Sequence, residues 1–363
     1  MVNVLFALYH NFTANSALHV CQLAGELTAL GLNCTVAVPN GKETQSAIPR
    51  RDFAVLEFAE ALSRQWDVVH AWTPREVVCT FCASVKRRSL FVHLEDNESH
   101  LLACMGNPEE VPDGLSHPER NKELLAQADG ITVVINRLAE FAPAGIPVLE
   151  ISPSCDLALF TRRPRNNVLR KQFRIAPETT VIAYTGNVHA ANVAEVRGLY
   201  LAVQLLNRAG VPAVLIRSGT DHIEIDKALR RGAVELGRVD YGQIPEILAA
   251  ADFLVQPGLP GIFNDYRVPS KLPEFFAIGR PVILPATNLG LRVRHGEEAW
   301  VLPEADAESI AEAIQLLRGN AGLCRQLSEG GRRFLERSPT WARHARELLD
   351  FYSLRKIPYI VSS

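Results

Sequence analysis

From its first residues the chain alternates short apolar, β-rich runs with longer amphipathic ones, the form that a parallel sheet covered by helices imposes on a sequence. Residues 2–9 read as a strand and 16–30 as a helix, with Gly31 standing where a glycine commonly ends one. Residues 34–38, 68–70, 90–92, 131–135 and 148–151 continue the strands, with helical stretches such as 118–128 between them. A basic, strand-poor stretch, Thr161-Arg162-Arg163-Pro164-Arg165-Asn166-Asn167, interrupts the series and reads as a linker. The alternation then restarts. Strands are expected at 181–184, 213–216, 233–236, 253–256, 281–284 and 299–302, and helices at 194–209, 223–230, 243–250, 271–278 and 307–318. The expected fold class is α/β: two doubly wound, Rossmann-like domains facing a cleft, where α/β sheets bind ligands at the carboxyl ends of their strands.

The chain's 363 residues fit two such cores. With 38 basic and 40 acidic residues the formal charge is -2, which excludes bulk attraction to nucleic acid and leaves peripheral association with a membrane open through local basic clusters. No apolar run approaches the ~20 residues that span a bilayer, and the start lacks a basic segment and cleavage site, so a cytoplasmic location is expected. Seven scattered cysteines argue against a disulfide framework. Cys79 and Cys82 have CxxC spacing but no second pair to complete a metal site, and they read as structural residues of a helix.

The densest cluster of chemistry-bearing residues lies at 256–282, where a strand is followed by a long loop and a helix. Ser270 is the expected N-cap. Helix amides with Lys271 and Arg267 make an anion site suited to a diphosphate, and Glu274, a turn later, reaches ribose hydroxyls. A capped surface helix with Glu274 in a capping box is the alternative.

Ser270-Lys271-Leu272 followed by Glu274-Phe275-Phe276-Ala277-Ile278-Gly279-Arg280-Pro281-Val282 resembles the donor-binding signature of the retaining glycosyltransferases of family 4, which have the two-Rossmann fold called GT-B. The resemblance runs along nearly the whole chain. It implies residues 1–160 as a Rossmann-like acceptor side, 161–168 as linker, 169–338 as the nucleotide-sugar donor side, and 339–363 as a C-terminal helix crossing back to the first domain. It also implies Glu274 on the donor ribose and an acid on the transferred sugar eight positions earlier. Tyr266 stands there, with Asp265 beside it as the nearest substitute.

Pro153-Ser154-Cys155-Asp156-Leu157-Ala158-Leu159-Phe160 is similar to the family's stretch before its linker, and Tyr184-Thr185-Gly186-Asn187-Val188-His189 to the opening of its second domain. Where the family carries Arg and Lys toward the diphosphate, this chain has Asn187 and Asn192, which shifts that charge to Arg267, Lys271 and Arg217. Leu236-Gly237-Arg238-Val239-Asp240 resembles the loop whose backbone reads the base. In the first domain the loop 9–16 lacks the family's glycines, and Thr13, Asn15 and Ser16 are N-cap types that leave helix amides available to an anion. His93 matches a histidine whose backbone or ring touches the transferred sugar. Glu95, Asp96 and Glu98 follow on a loop as candidates to bind acceptor hydroxyls, supply a base, hold a metal or simply be solvated. His70 reads as a packed residue.

The reaction implied is transfer of a glycosyl group from a nucleoside diphosphate sugar to a saccharide, lipid-linked or small-molecule acceptor, with retention and without a metal or other cofactor. A nucleotide-sugar epimerase, an inverting transferase of the same architecture and a binding protein without turnover are the alternatives.

Overall fold

Apolar residues on both faces of a strand require cover on both faces of a sheet, and both halves of the chain supply it. The computed structural model describes residues 1–43, 52–106 and 111–354. Its contacts divide the chain into two units, one of Met1–Ser154, Tyr266–Val268 and Pro339–Ser363, the other of Cys155–Asp265 and Pro269–Ser338.

In the first unit β1 (Asn3–Leu8) leads to α1 (Asn15–Ala29), β2 (Asn33–Val38), β3 (Ala54–Glu57), α2 (Phe58–Leu62) and β4 (Gln65–Trp72). Then come α3 (Glu76–Ser84), β5 (Lys86–Leu94), α4 (Glu98–Cys104), α5 (Pro118–Ala126), β6 (Gly130–Val133) and β7 (Val148–Glu150), with a 3-10 turn at Asn136–Phe141 before β7. The strands form a parallel sheet in the order β3-β2-β1-β4-β5-β6-β7. Strand order reverses between β1 and β4, so their carboxyl ends open a switch point. β3 and α2 are too short to stand out in the sequence.

In the second unit α6 (Asn167–Gln172) precedes β8 (Thr180–Thr185), α7 (Val193–Arg208), β9 (Ala213–Ser218), β10 (Ala233–Glu235), α8 (Ile244–Ala249) and β11 (Phe253–Val255). These lead to α9 (Ile262–Asp265), α10 (Leu272–Ile278), β12 (Val282–Pro285), β13 (Trp300–Leu302), α11 (Ala307–Arg318) and α12 (Ala321–Arg337). The parallel order is β10-β9-β8-β11-β12-β13, with its switch point between β8 and β11. All six residues of β8 are buried, as a central strand covered on both sides requires. The last helix, α13 (Trp341–Ser353), packs on α1 in the first unit, with the Trp341 and His19 rings 5.4 Å apart.

Three expectations change. The helix expected at 223–230 is absent: the segment is a series of turns held by Asp221, which pairs with both Arg217 and Arg230, while Ile225 fills the core. The basic stretch 161–167 is tied to the second unit, through Arg163 with Glu246 and Asn166 Nδ2, which donates to the Glu246 carboxylate at 2.7 Å. The division between units falls earlier, at Ser154 and Cys155. Gly330 and Gly331 within α12 allow close approach to the neighbouring chain: a Cβ on Gly330 would lie 1.8 Å from the Glu297 carbonyl oxygen and one on Gly331 2.7 Å from the Phe276 ring.

Cys79 and Cys82 are free and buried in α3, and burial pushes both thiols up to about 12, so they are packing residues. Among the described residues no helix is long and apolar enough to cross a membrane.

Candidate functional site

In the second unit the chemistry gathers at the carboxyl end of β8. Lys271 extends its ammonium onto Tyr184, with Nζ 3.0 Å from the hydroxyl and 4.1 Å from the ring centroid. Gly186 makes this possible, since a Cβ there would fall 2.5 Å from Lys271 Nζ. Arg217, at the end of β9, is not available in the same way. It is 2% exposed, its Nε donates to Glu235 at 3.0 Å, and it pairs with Asp221. Its charge is matched inside the unit, which corrects its expected place in a diphosphate site. Asn187 and Asn192 shape the loop instead of carrying charge: Asn187 Oδ1 accepts from the Thr220 amide at 2.9 Å, and Asn192 Nδ2 donates to the Asn187 carbonyl at 3.0 Å.

Glu274 sits in the first turn of α10, 7% exposed, and accepts a hydrogen bond from the Tyr241 hydroxyl at 2.8 Å. Burial raises its carboxyl to about 7 against the opposing pull of Tyr241 and Lys271. Tyr241 belongs to the 3-10 turn Tyr241–Gln243, which begins with a capping box between Asp240 and Gln243, and its ring meets the Phe160 ring edge-on at 5.3 Å. Half-buried Val239 lies in the preceding loop. Ser270 is not the cap of α10. The N-cap is Lys271, without a side-chain hydrogen bond, and Glu274 turns to Tyr241 rather than back to the cap. The Leu272 amide is taken by the Pro269 carbonyl at 3.1 Å and Pro273 has none, so this helix start offers fewer amides to an anion than expected. Positive charge on this unit's site falls to Lys271. Asp265 ends α9, half-buried, with its amide on the Gly261 carbonyl at 2.9 Å.

In the first unit the three acids part ways. Glu95 follows β5 and accepts from the Trp72 indole at 2.8 Å and from Ser16 Oγ, with His19 Nδ1 at 3.4 Å. Burial opposes its ionisation, but His19, His93 and Ser16 outweigh burial and hold the carboxyl at about 2. Ser16 is thus spent on Glu95. Neither it nor Asn15 caps α1, whose N-cap is Ala14; Asn15 is the exposed first residue of the helix. Glu98 is not on a loop. It opens α4, buried, 3.4 Å from Arg75 Nε, and accepts from Ser116 Oγ at 3.1 Å. Asp96 lies 3.4 Å from Arg75, whose guanidinium also covers the Tyr9 ring at 4.0 Å. Burial raises Asp96 to about 6; Arg75 opposes this, Glu98 and Glu95 add to it, and Arg267 lowers it. Two adjacent carboxyls are therefore driven apart, one always ionised and one poised near neutrality.

His93 has no exposed surface. Its ring stacks on Trp72, Nδ1 is 2.8 Å from Thr132 Oγ1, and Nε2 has no partner among the described residues. Burial lowers it to about 3, so it is neutral, and the ring is wholly enclosed. His70 is a core residue as expected, between Tyr352 and Thr132. Tyr266, at the position of the missing acid, turns its hydroxyl to Glu140 and packs on Phe141, all within the first unit. Sequence reasoning missed Tyr184, Tyr241, Arg75, His19 and Trp72 as partners of the charged groups. Tyr184 ends a predicted strand two residues before Gly186, and Trp72 and Arg75 follow the strand expected at 68–70, placements that hinted at them; Tyr241 and His19 leave no pattern. Among the described residues no cluster of His, Cys, Asp or Glu is arranged to hold a metal.

Two parallel-sheet α/β units of this order define the GT-B fold. Residues 179–320 match the family model described as Glycosyl transferases group 1. The Anabaena protein HepE in complex with UDP-glucose is 14% identical with a TM-score of 0.75, covering 98% of this chain and 100% of that one. Sucrose-phosphate synthase from Thermosynechococcus elongatus is 15% identical with a TM-score of 0.69, covering 98% and 99%. WaaG, a glycosyltransferase involved in lipopolysaccharide biosynthesis, is 14% identical with a TM-score of 0.66, covering 99% and 100%. No curated protein matches the sequence at a significant level. Together the matched domain and the fold support a GT-B glycosyltransferase.

Proposed function

We propose that the protein transfers a glycosyl group from a nucleoside diphosphate sugar to an acceptor hydroxyl, with retention of anomeric configuration and without a resident metal or cofactor. The observation that carries this reading is the buried Glu274 beside Lys271 at the end of β8, inside the segment that matches the glycosyl transferases group 1 model. Glu274 receives the ribose hydroxyls, and Lys271 faces the diphosphate that departs as the bond to the anomeric carbon breaks. The base is read by the backbone near Val239. Asp265 is the acid offered to the transferred sugar. In the first unit Asp96, raised to about 6, is suited to take the proton of an acceptor hydroxyl. Structures of HepE with UDP and with UDP-glucose support UDP-sugars as the first donors to try. The resemblance of Ser270 to Val282 to the family 4 signature supports retention.

Calorimetry with UDP tests the donor site: Glu274→Ala is expected to weaken binding at least about tenfold with the thermal midpoint little changed, since a site built for hydroxyl groups loses that much when a partner is removed. Unchanged affinity removes Glu274 from the site. Turnover with a panel of acceptors, followed by NMR of the anomeric product, tests the rest. Product without acceptor identifies an epimerase, and inverted product an inverting transferase. Binding with no turnover identifies a carrier, the reading favoured by Tyr266 in place of an acid.

A further inference from the structure

Glu274 meets its hydroxyl partner in a particular way. A carboxylate has four lone-pair positions on two oxygens, and Tyr241 occupies one of those on Oε1 at 2.8 Å. The last torsion of a glutamate is broad and soft, so burial alone does not choose the plane of the carboxyl. A single strong donor does. Tyr241 is itself fixed twice, by the capping box that starts its turn and by the edge-on contact with Phe160. It also stands two residues after Val239, so the loop proposed to pass the base carries the group that aims Glu274.

We propose that Tyr241 is a positioning residue: its hydroxyl orients the Glu274 carboxylate so that the free lone pairs point at the ribose diol, making ribose selectivity a property of the Tyr241–Glu274 pair. This rests on the reading of Glu274 as the ribose partner. Without the hydroxyl the carboxyl rotates and loses a donor that favours its ionised form, while packing of the ring is kept. The consequence is selective. Contacts to base and diphosphate are untouched, while the hold on the ribose hydroxyls weakens and discrimination between ribose and deoxyribose falls.

The experiment is calorimetric titration of the full chain with UDP and with 2′-deoxy-UDP, in wild type, Tyr241→Phe, Glu274→Gln and the double variant, with thermal midpoints measured alongside. Wild type is expected to prefer UDP by about tenfold or more, as for sites that hydrogen-bond a substrate hydroxyl. Tyr241→Phe should reduce that preference to within about threefold, weakening UDP more than 2′-deoxy-UDP, which keeps one of the two hydroxyls, and the double variant should lose no more than Glu274→Gln alone. Retention of the full preference in Tyr241→Phe overturns the inference while leaving Glu274 on the ribose. So does an equal loss for both nucleotides, which marks a merely structural tyrosine. No preference in wild type, no binding of either nucleotide, or a preference that survives Glu274→Gln removes the ribose reading itself and the inference with it.

Discussion

The imidazole of His93 lies nearly flat on the indole of Trp72, with ring centroids 3.6 Å apart and 17° between the planes. The same indole donates to Glu95, so a stacked aromatic pair holds the strand end beside an always-ionised carboxylate. Removing the ring opens a cavity under Trp72. His93→Ala is expected to destabilise the first unit by roughly 2–4 kcal/mol, in the range of buried large-to-small changes, and to lower turnover more than donor affinity. Urea denaturation checks the first, and a kcat loss without a Kd change checks the second.

Asp96 supplies a pH dependence with a definite sign. A base raised to about 6 must be deprotonated to work, so kcat should fall as pH drops below about 6. His93, held near 3 by burial, contributes no limb in that window. Asp96→Asn should abolish the acid limb along with most of the rate. A limb that persists in that variant assigns the base elsewhere.

Glu274 leaves a signature in stability. Its folded pKa of about 7 lies above the ordinary 4.5, so between those values the folded protein holds a proton that the unfolded chain has lost. The stability it contributes is present at acid pH and is lost as pH rises through that window. Between about pH 5 and pH 8, Glu274→Gln should therefore lose less stability than wild type, by on the order of 1–3 kcal/mol. Equal pH slopes contradict the raised value.

Gly186 is the position where one methyl group should be felt in binding. Alanine there displaces the mobile tip of Lys271 rather than any backbone, so folding should survive. UDP affinity should fall several-fold in Gly186→Ala and no further in the double variant with Lys271→Ala. Additive losses exclude Lys271 as the mediator.

Arg217 is expected to behave in the opposite way. Replacing it removes the buried cation that Asp221 and Glu235 share, although Asp221 keeps Arg230 and Glu235 keeps the Tyr200 hydroxyl, at a cost of about 2–4 kcal/mol, somewhat less than for a wholly buried pair. Nucleotide affinity of the folded Arg217→Met variant should stay within about twofold of wild type.

The strand and helix series was legible because period and turn residues are local. Residues 181–184 became β8 and 307–318 became α11 with little change, and the fold class followed from their alternation. Sites were legible only as residue types in loops after strands. Ser16 and Ser270 look alike as N-caps in sequence, yet neither caps its helix: Ser16 is drawn to Glu95 from β5, and Lys271 takes the cap position beside Ser270. Partners on other elements, Asp221 and Glu235 for Arg217 and Tyr241 for Glu274, decided the role of the first and the state of the second.

By itself, then, the sequence determined two parallel α/β sheets and the presence of Gly186, Lys271 and Glu274 where strands give way to loops and helices, since periodicity and chain direction need no distant partner. Tertiary structure alone decided which charges are spent and which remain. Burial and a few hydrogen bonds set adjacent Glu95 and Asp96 near 2 and near 6, turned Tyr266 to Glu140, and gave Glu274 its tyrosine. Ionisation depends on desolvation and on neighbours within a few ångströms, and those neighbours are fixed only once the chain has folded.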